Sequence, residues 1–399
     1  MINRLSQILL ISILTLGLMW TVNAATVSPQ TFNTLKKAEQ LLDQKAYGKA
    51  IAVLQTRLGQ VGSKPLEQAL ILRALSSAHA AQGNYQRALA YLEKALATQA
   101  LTDTQQRQAL RMLGQLYLAQ NQPQKAIKTL ESWLTTAPNP LPEDYLLLAQ
   151  AYTQLKRYRP ALKYINQAIA QASRPKESWI QLRLSLNYFL KNYAAAIQDL
   201  HRLIRMKPNH KPYWDQLTSL YQLSRKPISA AAIYELQSLM DMLTKEKEIL
   251  QGIQLLRAIH VPYLAAQRLQ QEIAKGRVKK NLKNLNLLAS CWTEARELKN
   301  ALQVLERAAA LSTNGQVHFR LGQLYVEQEQ WQKAAHALRS AIKKGGLKSP
   351  GKTWLLLGSV FFEMKKTGQA VQAFKKAMQY QQTRNSAQQW LAFLSNKTS

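Results

Sequence analysis

Residues 316–344 read QVHFRLGQLYVEQEQWQKAAHALRSAIKK, and two apolar stripes with helical spacing can be followed through them. Leu321 and Tyr325 lie four residues apart and share one face of a first helix, while Ala334 and Leu338 line a face of a second. Two helices this short cannot bury both faces by themselves. The pattern therefore predicts that the pair of helices is repeated along the chain.

The pair recurs throughout the sequence. A small residue equivalent to Ala334 returns at intervals from 33 residues (Ala301 to Ala334) to 38 residues (Ala50 to Ala88). Only a methyl group fits where two paired helices cross, and bulky neighbours fill the space around it. The predicted anchors are Ala50, Ala88, Ala126, Ala161, Ala196, Ala230, Ala266, Ala301, Ala334 and Ala370.

Larger residues flank each anchor at two fixed positions. Three residues before the anchor, with Thr367 as the exception, stand Tyr47, Tyr85, Pro123, Tyr158, Tyr193, Pro227, Tyr263, Leu298 and Trp331. Four residues after the anchor stand Leu54, Leu92, Leu130, Ile165, Leu200, Tyr234, Gln270, Leu305, Leu338 and Phe374.

The spacing of Leu321, Gly322, Tyr325 and Ala334 resembles the tetratricopeptide repeat (TPR) pattern. The resemblance implies an all-α fold, a right-handed superhelical solenoid of about ten helix-turn-helix repeats over residues 25–382. A capping helix and tail over residues 383–399 follow it. The apolar segment within residues 386–394 can cover the exposed end of the last repeat.

A different kind of segment precedes the repeats. Arg4 is followed by an apolar run over residues 8–20, and the small residues of Val22-Asn23-Ala24 come next. The pattern predicts a secretory signal peptide over residues 1–24, cleaved after Ala24, and a periplasmic protein. A retained membrane anchor is the alternative, although the run is shorter than the roughly 20 residues that a membrane span needs.

The formal net charge of +31 is unevenly distributed. Residues 145–213 carry 12 Lys and Arg against Glu177 and Asp199, and residues 331–399 carry 12 against Glu363. For an exported protein this charge favours acidic proteins, acidic peptides, anionic membranes or lipopolysaccharide as partners, and not nucleic acid. A basic surface that is only solvated is the alternative.

Patterns for catalysis and metal binding are weak. The histidines, including His79 and His318, form no metal-binding motif, and Cys291 is expected to be buried and inert. Residues 346–353, GLKSPGKT, match a phosphate-binding loop, but a helix is predicted before them where that loop needs a strand, so we interpret them as a turn between repeats. The sequence predicts no enzyme, no cofactor and no metal.

TPR proteins bind extended peptides or helices through the first helix of each repeat, and the resemblance implies the same here. The Lys and Asn arrangement by which some members hold a C-terminal carboxylate is not reproduced. Solvated surface is the alternative role for each implied partner-binding residue. These residues are Arg73, Ser77, Arg111, Gln115, Leu146, Gln150, Gln154, Asn286, Ser290, Phe319, Gln323 and Leu355.

Residues 280–380, which include KNLNLLASCWTEARELKNALQVLERAAALS, are similar to the periplasmic TPR proteins found beside TonB, ExbB and ExbD components in gammaproteobacteria. The similarity implies a non-catalytic scaffold that is accessory to TonB-dependent energised transport across the outer membrane. Its implied partners are TonB, ExbB or ExbD components or an outer-membrane receptor. A scaffold for cell-envelope assembly, in polysaccharide export or peptidoglycan machinery, is the alternative.

Overall fold

The computed structural model describes residues 27–398, and the signal peptide predicted over residues 1–24 lies outside this range. Within it the chain forms α-helices and one 3-10 turn, with no strand. The all-helical fold of repeated helix pairs is confirmed. The helices are α1 Pro29–Asp43, α2 Tyr47–Gln60, α3 Pro65–Ala81, α4 Tyr85–Ala97, α5 Asp103–Ala119, α6 Pro123–Thr136, α7 Pro142–Gln154, α8 Tyr158–Gln171, α9 Glu177–Phe189, α10 Tyr193–Met206, α11 Lys211–Leu223, α12 Pro227–Leu239, α13 Glu246–Ala258, α14 Pro262–Ala274, α15 Leu282–Glu294, α16 Leu298–Leu311, α17 Gly315–Glu327, α18 Trp331–Lys344, α19 Pro350–Glu363, α20 Thr367–Met378 and α21 Arg384–Thr398.

The helices belong to two compact units, which divide after Gln216, within α11. Unit 1 contains α1 to α10, and unit 2 contains α12 to α21. From α1 to α20 each odd-numbered helix is the first helix of a pair and each even-numbered helix is the second. The core of each unit lies between the helices of a pair and between successive pairs, as Leu113, Leu146 and Ile165 illustrate in unit 1.

All ten predicted anchors are fully buried, but the seventh was assigned one residue too late. Pro262 begins α14, and Ala265, three residues on, corresponds to the anchors of the other pairs. Leu269, four residues after Ala265, is buried. Tyr263 and Gln270, which were predicted to flank the anchor, are exposed. The adjacent alanines at 265 and 266 made the register ambiguous. The helix start at Pro262 resolves it.

The anchor region leaves little space for the facing first helix. A Cβ atom placed on Gly322 would lie 2.7 Å from Cγ of Leu338, and the same clash arises between Gly114 and Leu130 and between Gly358 and Phe374. In the second pair, Ser76 Oγ donates a hydrogen bond of 2.7 Å to the carbonyl oxygen of the anchor Ala88. A small first-helix residue thus meets the anchor backbone and the large residue four positions beyond it.

Each turn within a pair contains one left-handed residue, two positions before the second helix begins. The amide that follows it bonds back to a carbonyl five residues earlier, as Arg157 N does to Tyr152 O at 2.9 Å. This is the 6→1 bond of a Schellman motif, which satisfies carbonyl groups at the end of the first helix. The left-handed residues are Lys45, Gly83, Asn121, Lys156, Lys191, Arg225, His260, Arg296, Glu329 and Lys365, and Gly83 alone among them is glycine.

The predicted capping helix corresponds to α21. Trp390 stacks on Phe374 of the last pair with ring centroids 5.2 Å apart, and it also contacts Phe362 at 5.3 Å. Ala387 and Leu394 are buried on the same side. The helix therefore covers apolar side chains that a further repeat would otherwise bury.

The close crossing predicts that Gly322→Ala destabilises the protein by about 1 to 3 kcal/mol, because the added methyl group overlaps Leu338. Gly368→Ala is the matched control, since nothing lies within 4 Å of its Cβ position. Because alanine favours helix, the control should be neutral or stabilising by about 0.5 to 1 kcal/mol. Urea unfolding measures both. Equal midpoints for the two variants would contradict the crossing.

The left-handed turns predict that Lys156→Gly stabilises unit 1 by about 1 kcal/mol, because glycine adopts a positive φ without the steric cost that a Cβ brings. Lys94→Gly, an exposed position within α4, should instead destabilise by about 0.5 to 1 kcal/mol. Thermal unfolding of both variants tests the sign of each change in stability. A loss of stability in both would be inconsistent with this prediction.

Candidate functional site

The residues implied as a partner-binding surface lie on the first helices, and we call them the first-helix face. Unit 1 places Arg73 and Ser77 on α3, Arg111 and Gln115 on α5, and Leu146, Gln150 and Gln154 on α7. Unit 2 places Asn286 and Ser290 on α15, Phe319 and Gln323 on α17, and Leu355 on α19. Each unit thus has its own part of this face.

In unit 1 the arginines of the first-helix face link successive first helices. Arg73 Nη1 donates to Gln108 Oε1 at 3.1 Å, and Arg111 Nε donates to the buried carboxylate of Asp144. Asp144 also accepts from the backbone amide of Leu141 at 2.8 Å, which caps α7. Burial lowers the pKa of Arg73 to about 10, so the guanidinium is still charged at neutral pH. These two arginines have a structural function in joining repeats.

Two other members of the face are buried. Leu146 is only 2% exposed and packs in the core of unit 1. Ser77 donates its hydroxyl to the carbonyl of Arg73 within α3 at 3.2 Å. The structure places both side chains in internal contacts, so in this conformation neither presents a group to a partner.

Gln150 and Gln154 have a different environment. Their amide oxygens are buried, and neither has a hydrogen-bond donor among the described residues. The two residues lie one helical turn apart on α7 and so share a face. A buried acceptor without a donor costs about 1 to 3 kcal/mol, and a donor supplied from outside would relieve that cost. Both residues are half-buried, so rotation of either amide group can turn its oxygen toward a bound chain, and the pair can then accept hydrogen bonds from that chain.

Unit 2 has a similar but sparser arrangement. Ser290 accepts a hydrogen bond of 3.0 Å from Arg320 Nη2, which joins α15 to α17. The buried Oδ1 of Asn286 has no donor among the described residues, and Gln323 is exposed. Phe319 and Leu355 are half-buried against the core. In this unit, too, polar linkage and an unsatisfied amide oxygen occur on the first-helix face.

A second set of contacts between repeats was not predicted from the sequence. Tyr117 OH donates to Glu93 at 2.7 Å, and Tyr152 OH donates to Glu131 at 2.6 Å. Burial and the bond to Glu93 raise the pKa of Tyr117 to about 12. The signal was present in the register, because each of these glutamates follows its anchor alanine by five residues. The same spacing holds for Glu306, which accepts from Tyr325.

The remaining candidate residues lie in a turn between repeats or in the core. Residues 345–349 form the turn between α18 and α19, and Lys352 lies in the first turn of α19. Cys291 is buried, and burial raises the pKa of its thiol to about 11. Among residues 27–398, no cluster of His, Cys, Asp and Glu could hold a metal ion. In that same range no helix is long and apolar enough to span a membrane.

His79 occupies the first-helix position that Tyr117 and Tyr152 occupy in the next two repeats, and it is 2% exposed. Its ring stacks on Tyr91 with centroids 5.3 Å apart. Neither ring nitrogen has a hydrogen-bond partner among the described residues. Burial, assisted by the charge of Arg87, lowers the pKa of His79 below its ordinary value. Packing of the neutral ring therefore explains this histidine.

Comparison with known protein families decides the nature of the repeat. Three stretches match models described as tetratricopeptide repeat, over residues 67–138, 145–173 and 319–386. The chain carries tetratricopeptide repeats. Proteins built from such repeats are typically non-catalytic scaffolds that bind other proteins or peptides through their surfaces.

Several solved structures are similar to this TPR chain. A tetratricopeptide repeat protein from Parabacteroides merdae is 16% identical with a TM-score of 0.40, and the match covers 71% of this chain and 93% of that one. MamA from Desulfovibrio magneticus is 17% identical with a TM-score of 0.40, covering 46% and 98%. YrrB, described as a TPR protein with an unusual peptide-binding site, is 16% identical with a TM-score of 0.37, covering 42% and 83%. A search of curated proteins gives no match.

The lowered pKa of His79 predicts an acid-sensitive TPR core. Because the unfolded state takes up this proton at higher pH than the folded state, stability should fall as the pH drops below about 6.5. His79→Phe keeps a stacking ring and removes the titration, so it should weaken this dependence below about pH 6.5. His336→Gln, at an exposed position, is the control. The same pH dependence in wild type and His79→Phe would rule out this role.

Proposed function

We propose that this protein is a non-catalytic scaffold that binds an extended segment of a partner protein along its first-helix face. One observation carries the proposal: the amide oxygens of Gln150 and Gln154 are buried one turn apart without donors among the described residues. An extended segment offers backbone amides that could donate to them once these half-buried side chains rotate. Asn286 offers the same kind of acceptor in unit 2.

The arginine links support a face that is built before a partner arrives. Arg73 and Arg111 are held by Gln108 and Asp144, so successive first helices in unit 1 are already connected. Such preorganisation lowers the entropic cost of binding. Specificity then depends on the groups that the links leave available, among them the half-buried Gln115.

We further propose that the scaffold acts in the periplasm as an accessory to TonB-dependent transport across the outer membrane. The apolar run over residues 8–20, followed by Val22-Asn23-Ala24, supports export and cleavage after Ala24. The resemblance of residues 280–380 to TPR proteins found beside TonB systems supports the transport role. N-terminal sequencing of the protein recovered from periplasm should give Ala25 as the first residue. Recovery of an intact N-terminus would overturn cleavage.

The binding face predicts opposite effects on stability and binding. Replacing both Gln150 and Gln154 by Met removes two unsatisfied acceptors, so the free protein should gain about 1 kcal/mol or more while partner capture falls several-fold. Gln167→Met on α8 is the matched control, because its buried amide oxygen also lacks a donor but lies on a second helix. It should stabilise without loss of capture.

Capture is measured in cells with a photoreactive amino acid at Gln115, and with one at the exposed Lys94 of α4 as the control position. The attached proteins are identified by mass spectrometry. Crosslinks at Gln115 to TonB, ExbD or an outer-membrane receptor, reduced in the Gln150→Met and Gln154→Met double variant, are the expected result. Crosslinks that form equally at both positions would argue against the first-helix face. Envelope-synthesis proteins at Gln115 would replace the transport role with envelope assembly.

A further inference from the structure

The repeats formed by α7 to α10 carry an aromatic cluster at the turn end of their helix pairs. Tyr158 at the start of α8 stacks on Phe189 at the end of α9, with ring centroids 4.8 Å apart. Tyr188 lies at 5.9 Å from Phe189 and 6.3 Å from Tyr193. Tyr188 is 47% and Phe189 41% exposed. We call these four rings the aromatic edge.

A polar cavity of about 340 Å³ lies between α8 and the turn before α10, and its lining residues are neighbours in sequence of the aromatic edge. Arg159, Lys163 and Asn166 line it from α8, and Leu190 and Asn192 line it from the turn before α10. The lining contains two cationic groups and two amides and has no carboxylate. Tyr158 and Phe189 of the aromatic edge adjoin these lining residues in sequence. An anionic group and an apolar ring could therefore be bound side by side.

The carboxylates within residues 145–216 already have cationic partners. Glu177 pairs with Lys207 at 2.6 Å, Asp199 accepts from Arg183 Nε at 2.9 Å, and Asp215 pairs with Lys211 at 2.8 Å. Sequence positions 145–216 contain no other Asp or Glu. The positive charge near the cavity is consequently not neutralised by carboxylates of the same segment.

The cations around the cavity contrast with these pairs. Within the described part of the chain, Lys156, Arg159, Lys163 and Lys191 form no ion pair with a carboxylate. All four are exposed. Lys163 lies 5.8 Å from the Tyr164 ring centroid, so its ammonium group is near an aromatic face and is still accessible. The charge at this edge is available to an external carboxylate.

We propose that the cavity and the aromatic edge together dock an acidic protein segment that carries an aromatic residue. Arg159 and Lys163 would bind its carboxylates, Asn166 and Asn192 would hydrogen-bond its backbone, and Tyr188 and Phe189 would pack on its aromatic side chain. A concave, amide-lined cavity suits a peptide better than the flat surface of a membrane. The inference rests on the scaffold function and adds a second surface, with a stated partner chemistry, outside the first-helix face.

The test uses the purified full chain and a fluorescent peptide, Glu-Glu-Phe-Glu-Glu-Phe-Glu-Glu, with binding followed by anisotropy at several salt concentrations. Replacing both Arg159 and Lys163 by Gln should weaken binding about tenfold, and Phe189→Ser should also weaken it. The control replaces Lys36 and Lys37 of α1 by Gln, which removes the same charge from exposed positions. It should change affinity less than twofold.

Several outcomes would overturn the proposal. If the Arg159/Lys163 and Lys36/Lys37 variants lose the same affinity, the peptide is attracted by the overall charge of the protein. If a peptide with Ser in place of Phe binds equally well, the aromatic edge has no role in binding. Binding of vesicles rich in phosphatidylglycerol without binding of the peptide would assign the surface to lipid. Circular dichroism checks that the variants fold. If crosslinks at Gln115 persist while the acidic peptide fails to bind, this surface is refuted and the scaffold function stands. If both fail, both are refuted.

Discussion

The close approach of two helices at an alanine is the contact on which the whole architecture depends. Three groups pack closely at each crossing: the anchor methyl group, the small residue of the facing first helix and the large residue one turn beyond the anchor. Gly322 and Leu338 show how little space is left between them. Interiors packed at this density leave no room for an added carbon atom. Since each pair buries only part of its apolar surface, stability comes from stacking neighbouring pairs, and α21 covers the last one.

Polar groups reinforce the stacking at two regular positions. Tyrosines of first helices donate to glutamates of the preceding second helix, as Tyr152 does to Glu131. Arginines such as Arg111 connect one first helix to the next. The fifth pair uses a different solution, because Asn187 occupies the aromatic position and donates to the buried Asp199 at 3.1 Å. Asp199 also pairs with Arg183, so a hydrogen-bonded ion pair replaces an aromatic contact there, and the buried carboxylate is satisfied as burial requires.

The two proposed binding surfaces differ in their chemistry for physical reasons. On the first-helix face, side chains converge and bury one another, so the groups left without an internal partner are neutral amide oxygens such as that of Gln150. At the turn end of α8 and α10, side chains diverge into solvent, where long cations such as Arg159 avoid the cost of desolvation. A scaffold with both surfaces can hold a partner backbone at one and acidic side chains at the other.

Much of the fold could be predicted from the sequence, because its signal is repeated ten times and each anchor obeys a local steric rule. Two adjacent alanines, Ala265 and Ala266, could each be the seventh anchor, and the periodicity alone led to the wrong one. The left-handed turn at His260 sets the start of the helix and so identifies the anchor. The candidate face was predicted less completely. Helical spacing puts Leu146 and Gln150 on neighbouring turns, but it does not reveal that the first packs in the core while the second leaves an acceptor unsatisfied.

The sequence by itself determined the helix pairs, their number and all but one of their crossing positions, since these follow from side-chain size at fixed intervals within about 35 residues. Only the tertiary structure decided which polar groups form contacts between repeats and which are available to a partner. Arg111 and Arg159 are the same residue type with the same formal charge, yet one is held by Asp144 and the other faces an open cavity. That difference arises from contacts between separate helices, which no local pattern encodes.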